Sequence, residues 1–270
     1  MAFETVTSAD GVAWRRSSLL HAAGVPHAFS TRLGGVSPAP FDSMNLGLAD
    51  APGPADSWAN VQSNWRRLLT ACGLQGRDLV RARQVHGIGV LHGDLDPAAF
   101  RPEPPFADAD AVVTGAGRQA VSVRVADCAP LLLAEPAAGL VSAVHAGWRG
   151  VVQGVVHAAM QAMIERGAVA ERVLVAIGPC IGPDRFEVGD DVQQAMARAG
   201  LERHVRPSSG RPGKWLADLR AALQQQVRAF GVPERSIDVS GTCTHSEAGT
   251  EFSYRRDGAR SGRMAAVIGL

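Results

Sequence analysis

The sequence predicts a single domain of mixed α/β class, in which layers of helices pack on layers of strands. The chain has 270 residues, of which 46% are hydrophobic, enough for one large buried core. In its second half, apolar runs of strand length alternate with longer segments of helical periodicity, the pattern of a layered α/β domain. The region before residue 57 has no apolar pattern large enough for a second core, so residues 1–270 are predicted to form one domain.

Composition excludes several classes of protein. The net charge is +1, and no basic stripe, acidic run or apolar segment of membrane-spanning length is present. These features predict neither a nucleic-acid partner nor a membrane partner. The segment Met1–Arg16 lacks the basic start and apolar core of a signal peptide, so we expect a cytoplasmic location. The four cysteines form no Cys-x-x-Cys pair, so we expect core thiols, metal ligands or nucleophiles rather than a disulfide framework.

The first quarter of the chain contains two candidate site residues and one helix. Arg32 precedes a glycine pair that marks a turn; it is a candidate anion ligand, with a solvated loop arginine as the alternative. Asn45 is a candidate site residue, or alternatively the cap of a turn. Between Trp58 and Cys72, apolar residues recur at helical spacing and predict a helix in which Cys72 is a packed core thiol.

The middle of the chain contains further candidates on extended segments. Residues 79–90 are predicted to be extended and include His86, a metal ligand or an edge residue. Asp108 and Asp110 are two apart on an extended segment, so their side chains are expected to face the same way and hold a cation or cap a turn.

A polar pair interrupts two apolar runs shortly afterwards. Residues 120–125 and 131–134 are predicted strands, and Asp127-Cys128 lies between them. Such a break in the local pattern is where functional residues tend to occur. Pro130 has no backbone N–H to donate, so we expect a bulge or an edge strand here.

The segment from Gly139 to Gly150 carries the densest combination of functional residue types. Residues 140–144 are predicted to form a buried strand that places His145 at its carboxyl end. A turn with glycines at both ends follows and carries Arg149, and residues 151–166 are predicted to form a helix. A helix N-terminus favours an anion, and a guanidinium adds a charge that suits phosphate or carboxylate. A strand–helix turn with a buried core histidine is the alternative.

The remaining apolar runs complete an alternating pattern. The predicted strands are 172–177 and 236–240, and the predicted helices are 189–199 and 216–230. Cys128, His145, Cys180 and Cys243 all fall at strand ends, where sites of α/β sheets gather.

Three residues form a candidate metal-ligand set: His86, Cys128 and His145. Two imidazoles and one thiolate suit zinc, and three protein ligands leave the fourth position open, as in catalytic sites. Two other uses of these residues stay open. Cys128 and His145 could act as a nucleophile and its base, and the trio also suits copper. The chain has eight histidines and no His-x-His pair, unlike a multicopper oxidase.

Seven ordered motifs resemble one known family, across roughly residues 29 to 263. The chain is similar to the bacterial YfiH/laccase-domain family, also called the multicopper polyphenol oxidase or peptidoglycan editing factor family and related to human FAMIN. The motifs are Ser30-Thr31-Arg32-Leu33-Gly34-Gly35-Val36-Ser37, Asn45-Leu46-Gly47, Gln84-Val85-His86-Gly87, Ala126-Asp127-Cys128-Ala129-Pro130, His145-Ala146-Gly147-Trp148-Arg149-Gly150, Gly178-Pro179-Cys180-Ile181-Gly182 and Phe252-Ser253-Tyr254-Arg255-Arg256.

The resemblance implies a fold, a cofactor and an activity. The implied fold is a four-layer α/β/β/α sandwich, and the implied metal is zinc at the trio, with copper as the alternative. The implied activity is phosphorolysis of adenosine, inosine, guanosine and methylthioadenosine, with adenosine deamination as a side activity. A copper-dependent laccase and an amidase that edits a peptidoglycan precursor are alternatives. We further expect a monomer whose ligands are a nucleoside and phosphate.

Four residues are predicted to carry this chemistry beside the metal. Phosphorolysis needs a bound phosphate, for which Arg32 and Arg149 are candidate donors. Asp127 is the carboxylate nearest in sequence to a ligand, as a proton carrier or as a residue that orients a ligand. Asn45 completes the predicted catalytic set.

Overall fold

The computed structural model describes residues 3–47, 54–96 and 106–270. The strands are β1 (Phe3–Thr7), β2 (Ala13–Ser17), β3 (His27–Ser30), β4 (Asp78–Arg81), β5 (Val90–His92), β6 (Ala111–Thr114), β7 (Gln119–Val125), β8 (Ala129–Glu135), β9 (Leu140–Ala146), β10 (Leu174–Ile177), β11 (Glu187–Gly189), β12 (Val205–Pro207), β13 (Lys214–Ala217), β14 (Ile237–Val239) and β15 (Met264–Gly269). The α-helices are α1 (Ser18–Ala22), α2 (Trp58–Ala71), α3 (Trp148–Gln153), α4 (Val155–Ile164), α5 (Asp190–Arg198), α6 (Leu219–Ala229) and α7 (Tyr254–Asp257).

Two six-stranded sheets form the centre of the fold. Sheet 1 has the strand order β1-β2-β3-β15-β7-β4, and sheet 2 has the order β14-β10-β8-β9-β6-β5. A small third sheet has the order β11-β13-β12. Alternate residues of β7 show how the sheets pack: Val121 and Val123 lie in the core between the sheets, whereas Ala120 packs with the α2 side chains.

Helices cover the outer faces of both sheets. Trp65 and Leu68 of α2 pack with Val267 on the outer face of sheet 1. On the outer face of sheet 2, α3, α4 and α6 form the largest core, where Met160 and Leu223 are fully buried. The layers therefore follow the order α/β/β/α, and the predicted fold class is confirmed. None of the helices within the described ranges is long and apolar enough to cross a membrane.

The chain passes from one sheet to the other between β7 and β8. Residues 126–128 make this crossing, and Asp127 has a φ of 90° there. Pro130 follows near the start of β8, a central strand between β10 and β9, so the expected edge strand is wrong. The ladder with β10 begins one residue later, at Leu131, which is why a residue without an N–H is accommodated.

Two predicted helices have different limits in the structure. The helix expected over 151–166 begins at Trp148 and divides into α3 and α4 at Gly154, which has a φ of 88°. The helix expected over 216–230 begins at Leu219, because Lys214–Ala217 pairs as the central strand of the third sheet. Sheet pairing outweighs local helical propensity in that segment.

Candidate metal centre and its cavity

The three predicted ligands meet at one point. His86 follows β4, Cys128 lies in the crossing between the sheets, and His145 is near the carboxyl end of β9. Their ligand atoms all lie within 4.8 Å of one another. The Cys128 Sγ is 3.9 Å from the His86 Nε2, and the two imidazole rings meet edge to face with centroids 4.9 Å apart.

The donor set fits a metal ion. A tetrahedral zinc ion with ordinary bond lengths separates a nitrogen ligand from a sulfur ligand by about 3.6 Å. The 3.9 Å between the His86 Nε2 and the Cys128 Sγ is close to this value. The Nδ1 of His145 is engaged by Asp110, which leaves its Nε2 as the ligand atom. These three residues therefore form a possible metal site.

One buried carboxylate positions both histidines. The Asp110 Oδ1 accepts hydrogen bonds from the Nδ1 of His145 at 2.8 Å and from the backbone N–H of His86 at 3.0 Å. The Oδ2 accepts from the backbone N–H groups of Val85 and Gly87 at 3.2 and 2.7 Å. A carboxylate behind a ligating histidine fixes the orientation of the ring. Asp110 is therefore a positioning residue for the cluster.

The two aspartates of the Asp-x-Asp motif do not face the same way. Asp110 is fully buried beside His145, whereas Asp108 is exposed and pairs with Arg83 through both oxygens, at 2.5 and 2.6 Å. The segment departs from a regular strand at this point, so the expected two-residue spacing does not place the side chains together. A cation site shared by the pair is therefore not formed.

The ligands also depend on two features of the backbone. His86 has a φ of 61°, a left-handed conformation that is uncommon for residues other than glycine. The bonds from its segment to Asp110 hold it there. A Cβ at Gly147 would lie 2.9 Å from the His86 Cδ2 and 3.1 Å from the Cys128 Sγ. The first glycine of the His-Ala-Gly-Trp-Arg-Gly motif is therefore required because two ligands pack on its backbone.

Electrostatics favour a thiolate in the metal-free cluster. Burial raises the pKa of Cys128, but the positive His145 and the hydrogen bonds from both histidines outweigh it and lower the pKa to about 6. Burial lowers the pKa of His145, but Cys128 and Asp110 raise it to about 9. Burial also opposes ionisation of Asp110, yet the hydrogen bonds from His145 and Gly87 keep its pKa below the ordinary value. Cys128 is thus ready to bind a metal near neutral pH.

A cavity of about 670 Å³ lies against the cluster. Three arginines and no carboxylate line it among the described residues, so the cavity suits a negatively charged ligand. Its lining consists of Arg83, Gln84, His86, Arg124, Val125, Ala126, Cys128, His145, Tyr254 and Arg263.

Asp127 lies beside the cluster, and its contacts lead away from it. Its Oδ1 accepts a hydrogen bond from the Thr244 hydroxyl at 2.6 Å. Its Oδ2 accepts from the Ser253 hydroxyl at 3.0 Å and from the backbone N–H of Arg255 at 2.6 Å. These bonds anchor the start of α7, and with it Tyr254 at the cavity. A catalytic role for Asp127 remains a prediction.

The other three predicted catalytic residues are also absent from the cavity lining. Asn45 is buried and bonds to the backbone of Gly47 and Arg263. Arg32 pairs with Asp42 at 3.3 Å and lines a separate cavity of about 410 Å³. The guanidinium of Arg149 lies 4.5 Å from the Trp148 ring centroid. The catalytic roles of these residues likewise stay predictions.

Several polar residues that line the cavity were not predicted from the sequence as site residues, among them Arg83, Gln84, Arg124 and Arg263. Arg124 falls inside a predicted strand, where an arginine looks like a solvated surface residue. Gln84 belongs to a recognised motif, but no role was predicted for it. Its side-chain amide forms two hydrogen bonds with the backbone of Arg124, at 2.7 and 2.8 Å. The residues around Arg83 contain no pattern that predicts a functional role for it.

Known proteins resemble the chain over almost its entire length. The family model for multi-copper polyphenol oxidoreductase laccases matches residues 26–270. A purine nucleoside phosphorylase of Deinococcus radiodurans is 40% identical over 247 residues, covering 91% of this chain and 89% of that protein. The purine nucleoside phosphorylase YfiH of Shigella flexneri is 36% identical over 253 residues, covering 92% and 94%.

A solved structure shares the fold. The crystal structure of the hypothetical protein YfiH from Bacillus licheniformis has a TM-score of 0.86 and 27% sequence identity, covering 98% of both chains. The architecture of that protein therefore matches the two central sheets and their helices described above. Together with the match of the family model to residues 26–270, this shows that the chain belongs to the YfiH-type, multi-copper polyphenol oxidoreductase laccase family.

Proposed function

We propose that the protein is a zinc-dependent purine nucleoside phosphorylase that acts on adenosine, inosine, guanosine and methylthioadenosine, with adenosine deamination as a side activity. The observation that carries this proposal is a possible metal site in the wall of a cavity lined by three arginines. The names of the relatives in Deinococcus radiodurans and Shigella flexneri support the same activity.

His86, Cys128 and His145 would hold the zinc ion, and Asp110 would keep His145 in the tautomer that presents Nε2. A zinc ion with an open fourth position supplies a Lewis acid that polarises a bound oxygen and lowers the pKa of bound water. Gly147 leaves the space on which the ligands depend.

The residues of the cavity are suited to bind phosphate, the anionic substrate of the proposed reaction. Phosphorolysis forms a bond between phosphate and the C1′ of ribose and breaks the bond from C1′ to the base nitrogen. The protein must therefore hold phosphate against the sugar and stabilise the charge on the departing base. Guanidinium groups such as those of Arg124 and Arg263 offer charge-assisted N–H donors for phosphate oxygens. The ring of Tyr254, half exposed at the cavity, offers a flat face for a base.

Two alternatives use the same cluster. Two imidazoles and one thiolate also form a copper-ligand set, which supports a copper-dependent polyphenol oxidase and agrees with the description of the family. The Cys128 thiol, with its pKa near 6 beside His145, supports an amidase with a cysteine nucleophile. Metal analysis of untagged protein tests the first alternative, because stoichiometric zinc with only trace copper would argue against it. A covalent thioester intermediate on Cys128 would support the second.

The test follows adenosine and inosine with and without phosphate, using zinc-loaded protein and detecting free base, ribose 1-phosphate and inosine. We expect phosphate-dependent release of base. His145→Ala is expected to lose the zinc and both activities, because one of three ligands is removed. His21→Ala, an exposed histidine far from the cluster in sequence, serves as the control. Absence of turnover by the zinc-loaded wild type would refute the proposal.

A further inference from the structure

We infer that Arg124 and Arg263 form the subsite for the phosphate co-substrate, and that the Asn45-Leu46-Gly47 segment positions Arg263 within it. The assignment to catalysis rests on the proposed phosphorylase function. The binding of an inorganic oxyanion by these residues rests on their geometry alone.

The two arginines are neighbours on one face of sheet 1. In the antiparallel pairing of β7 with β15, Arg124 lies opposite Ala265. Arg263 comes two residues before Ala265, so its side chain shares that face and lies diagonally next to Arg124. Both side chains are half-buried and line the large cavity.

Gly47 shows how closely the two side chains approach each other. A Cβ at this position would lie 2.6 Å from the Arg263 Cγ and 3.7 Å from the Arg124 Cδ. The stems of both arginines therefore pass the same backbone position, and both residues line the cavity. The Nη1 of Arg263 also donates to the carbonyl oxygens of Ser261 and Gly262, at 2.8 and 3.3 Å. Any side chain at position 47 would have to displace Arg263.

The segment around Gly47 fixes the backbone of Arg263 from both directions. The Oδ1 of Asn45 accepts hydrogen bonds from the backbone N–H of Arg263 at 2.9 Å and from that of Gly47 at 3.2 Å. The backbone N–H of Leu46 donates to the Arg263 carbonyl at 2.8 Å. Asn45 is only 2% exposed. The Asn-Leu-Gly motif thus acts through Arg263, and Asn45 is a positioning residue.

Two further arginines, Arg81 and Arg83, lie near the pair among the described residues. Burial, followed by the nearby charge of Arg124, lowers the pKa of Arg81 to about 10. The guanidinium of Arg263 lies 5.5 Å from the centroid of the Tyr254 ring, which limits its freedom. Arg83 is tied to Asp108, so its charge is partly compensated. Two neighbouring guanidinium groups that line one cavity offer the charge-assisted N–H donors that the oxygens of a tetrahedral oxyanion accept.

The experiment measures binding of inorganic phosphate directly, by titration calorimetry on zinc-loaded protein without nucleoside, and separately the KM for phosphate. Arg124→Gln and Arg263→Gln should each weaken phosphate binding ten- to a hundredfold, the effect of losing one charge-assisted contact. Arg124→Lys and Arg263→Lys should retain part of the affinity. Arg206→Gln, which removes a surface arginine paired with Asp184, is the matched control.

Asn45→Ala provides the test for positioning. We expect this substitution to raise the KM for phosphate and to leave the KM for nucleoside unchanged. If Asn45 had a purely structural role, the substitution would lower thermal stability without a selective effect on the KM for phosphate. Phosphate affinity unchanged in both glutamine variants, or no measurable phosphate binding by the wild type, overturns the subsite.

The two proposals fail separately. Nucleoside phosphorolysis with a phosphate KM that is insensitive to both arginines would leave the function standing and overturn the subsite. Phosphate binding that depends on both arginines, without any nucleoside turnover, would leave the subsite standing and overturn the function.

Discussion

The Nδ1 of His145 donates a 2.8 Å hydrogen bond to the Oδ1 of Asp110, and neither side chain is more than 4% exposed. Through its other contacts, the same carboxylate holds the backbone around His86. One buried side chain therefore couples two ligands that are far apart in sequence.

Asp110→Asn is expected to lower zinc affinity by about ten- to a hundredfold, the usual effect of losing a residue that orients a ligand. An amide offers only one acceptor oxygen, and its NH₂ group would face the backbone donors of residues 85–87. Competition with a chromophoric chelator measures the affinity. Asp108→Asn, two residues away and exposed, should leave the zinc affinity unchanged. Equal affinities for Asp110→Asn and the wild type would contradict the role of Asp110.

Gly147→Ala is expected to lower zinc affinity about tenfold or more, because the new Cβ would meet the His86 ring and the Cys128 sulfur at about 3 Å. The matched control is Gly241→Ala, where a Cβ meets no atom within 4 Å and φ is not in the left-handed region. Metal content after dialysis and the chelator competition assay compare the two variants. If both variants retain zinc equally, the close packing of the two ligands on Gly147 does not determine zinc affinity.

Cys128 should be alkylated rapidly in the metal-free protein at pH 7 and protected when zinc is bound. Its pKa is lowered to about 6, so the thiolate predominates above that pH and disappears as the pH falls through 6. Burial raises the pKa of Cys180 to about 11, so Cys180 should remain unmodified and serves as an internal reference. Peptide mapping by mass spectrometry after iodoacetamide treatment measures both sites. Zinc-independent alkylation of Cys128 would argue against its being a ligand.

Glu251→Gln should make the stability of the protein less sensitive to a rise in pH from 5 to 8. Glu251 is buried beside Arg15, and burial raises its pKa to about 7 although Arg15 opposes the shift. Because the folded-state pKa exceeds the unfolded value, its stabilising contribution is complete below about pH 4.5 and is lost as the pH rises through 7.

The wild type should therefore lose stability relative to Glu251→Gln between pH 5 and 8, by at most about 3 kcal/mol. Thermal unfolding of both proteins at the two pH values measures this difference. Parallel pH profiles for the wild type and the variant would show that Glu251 remains ionised in the folded protein throughout this range.

The amino-acid sequence by itself determined the fold class, most of the elements and the identity of the cluster. Helical periodicity of apolar residues located α2, which buries one face against the core. Continuous apolar runs located β9 and β10, which are buried along nearly their whole length. The Leu140–Ala146 strand and its histidine were correctly placed because their signals are local. Ordered motifs, rather than spacing alone, singled out His86, Cys128 and His145 from the histidines and cysteines of the chain.

Only the tertiary structure decided what surrounds the cluster. Asp127 adjoins Cys128 in sequence, whereas Asp110 comes 18 residues before it. Yet the Asp110 carboxylate accepts a hydrogen bond from His145, and the Asp127 carboxylate accepts one from the start of α7. Arg124 and Arg263 are 139 positions apart and meet only because β7 pairs with β15. Side-chain direction and strand pairing are set by long-range contacts, which a local sequence pattern does not contain.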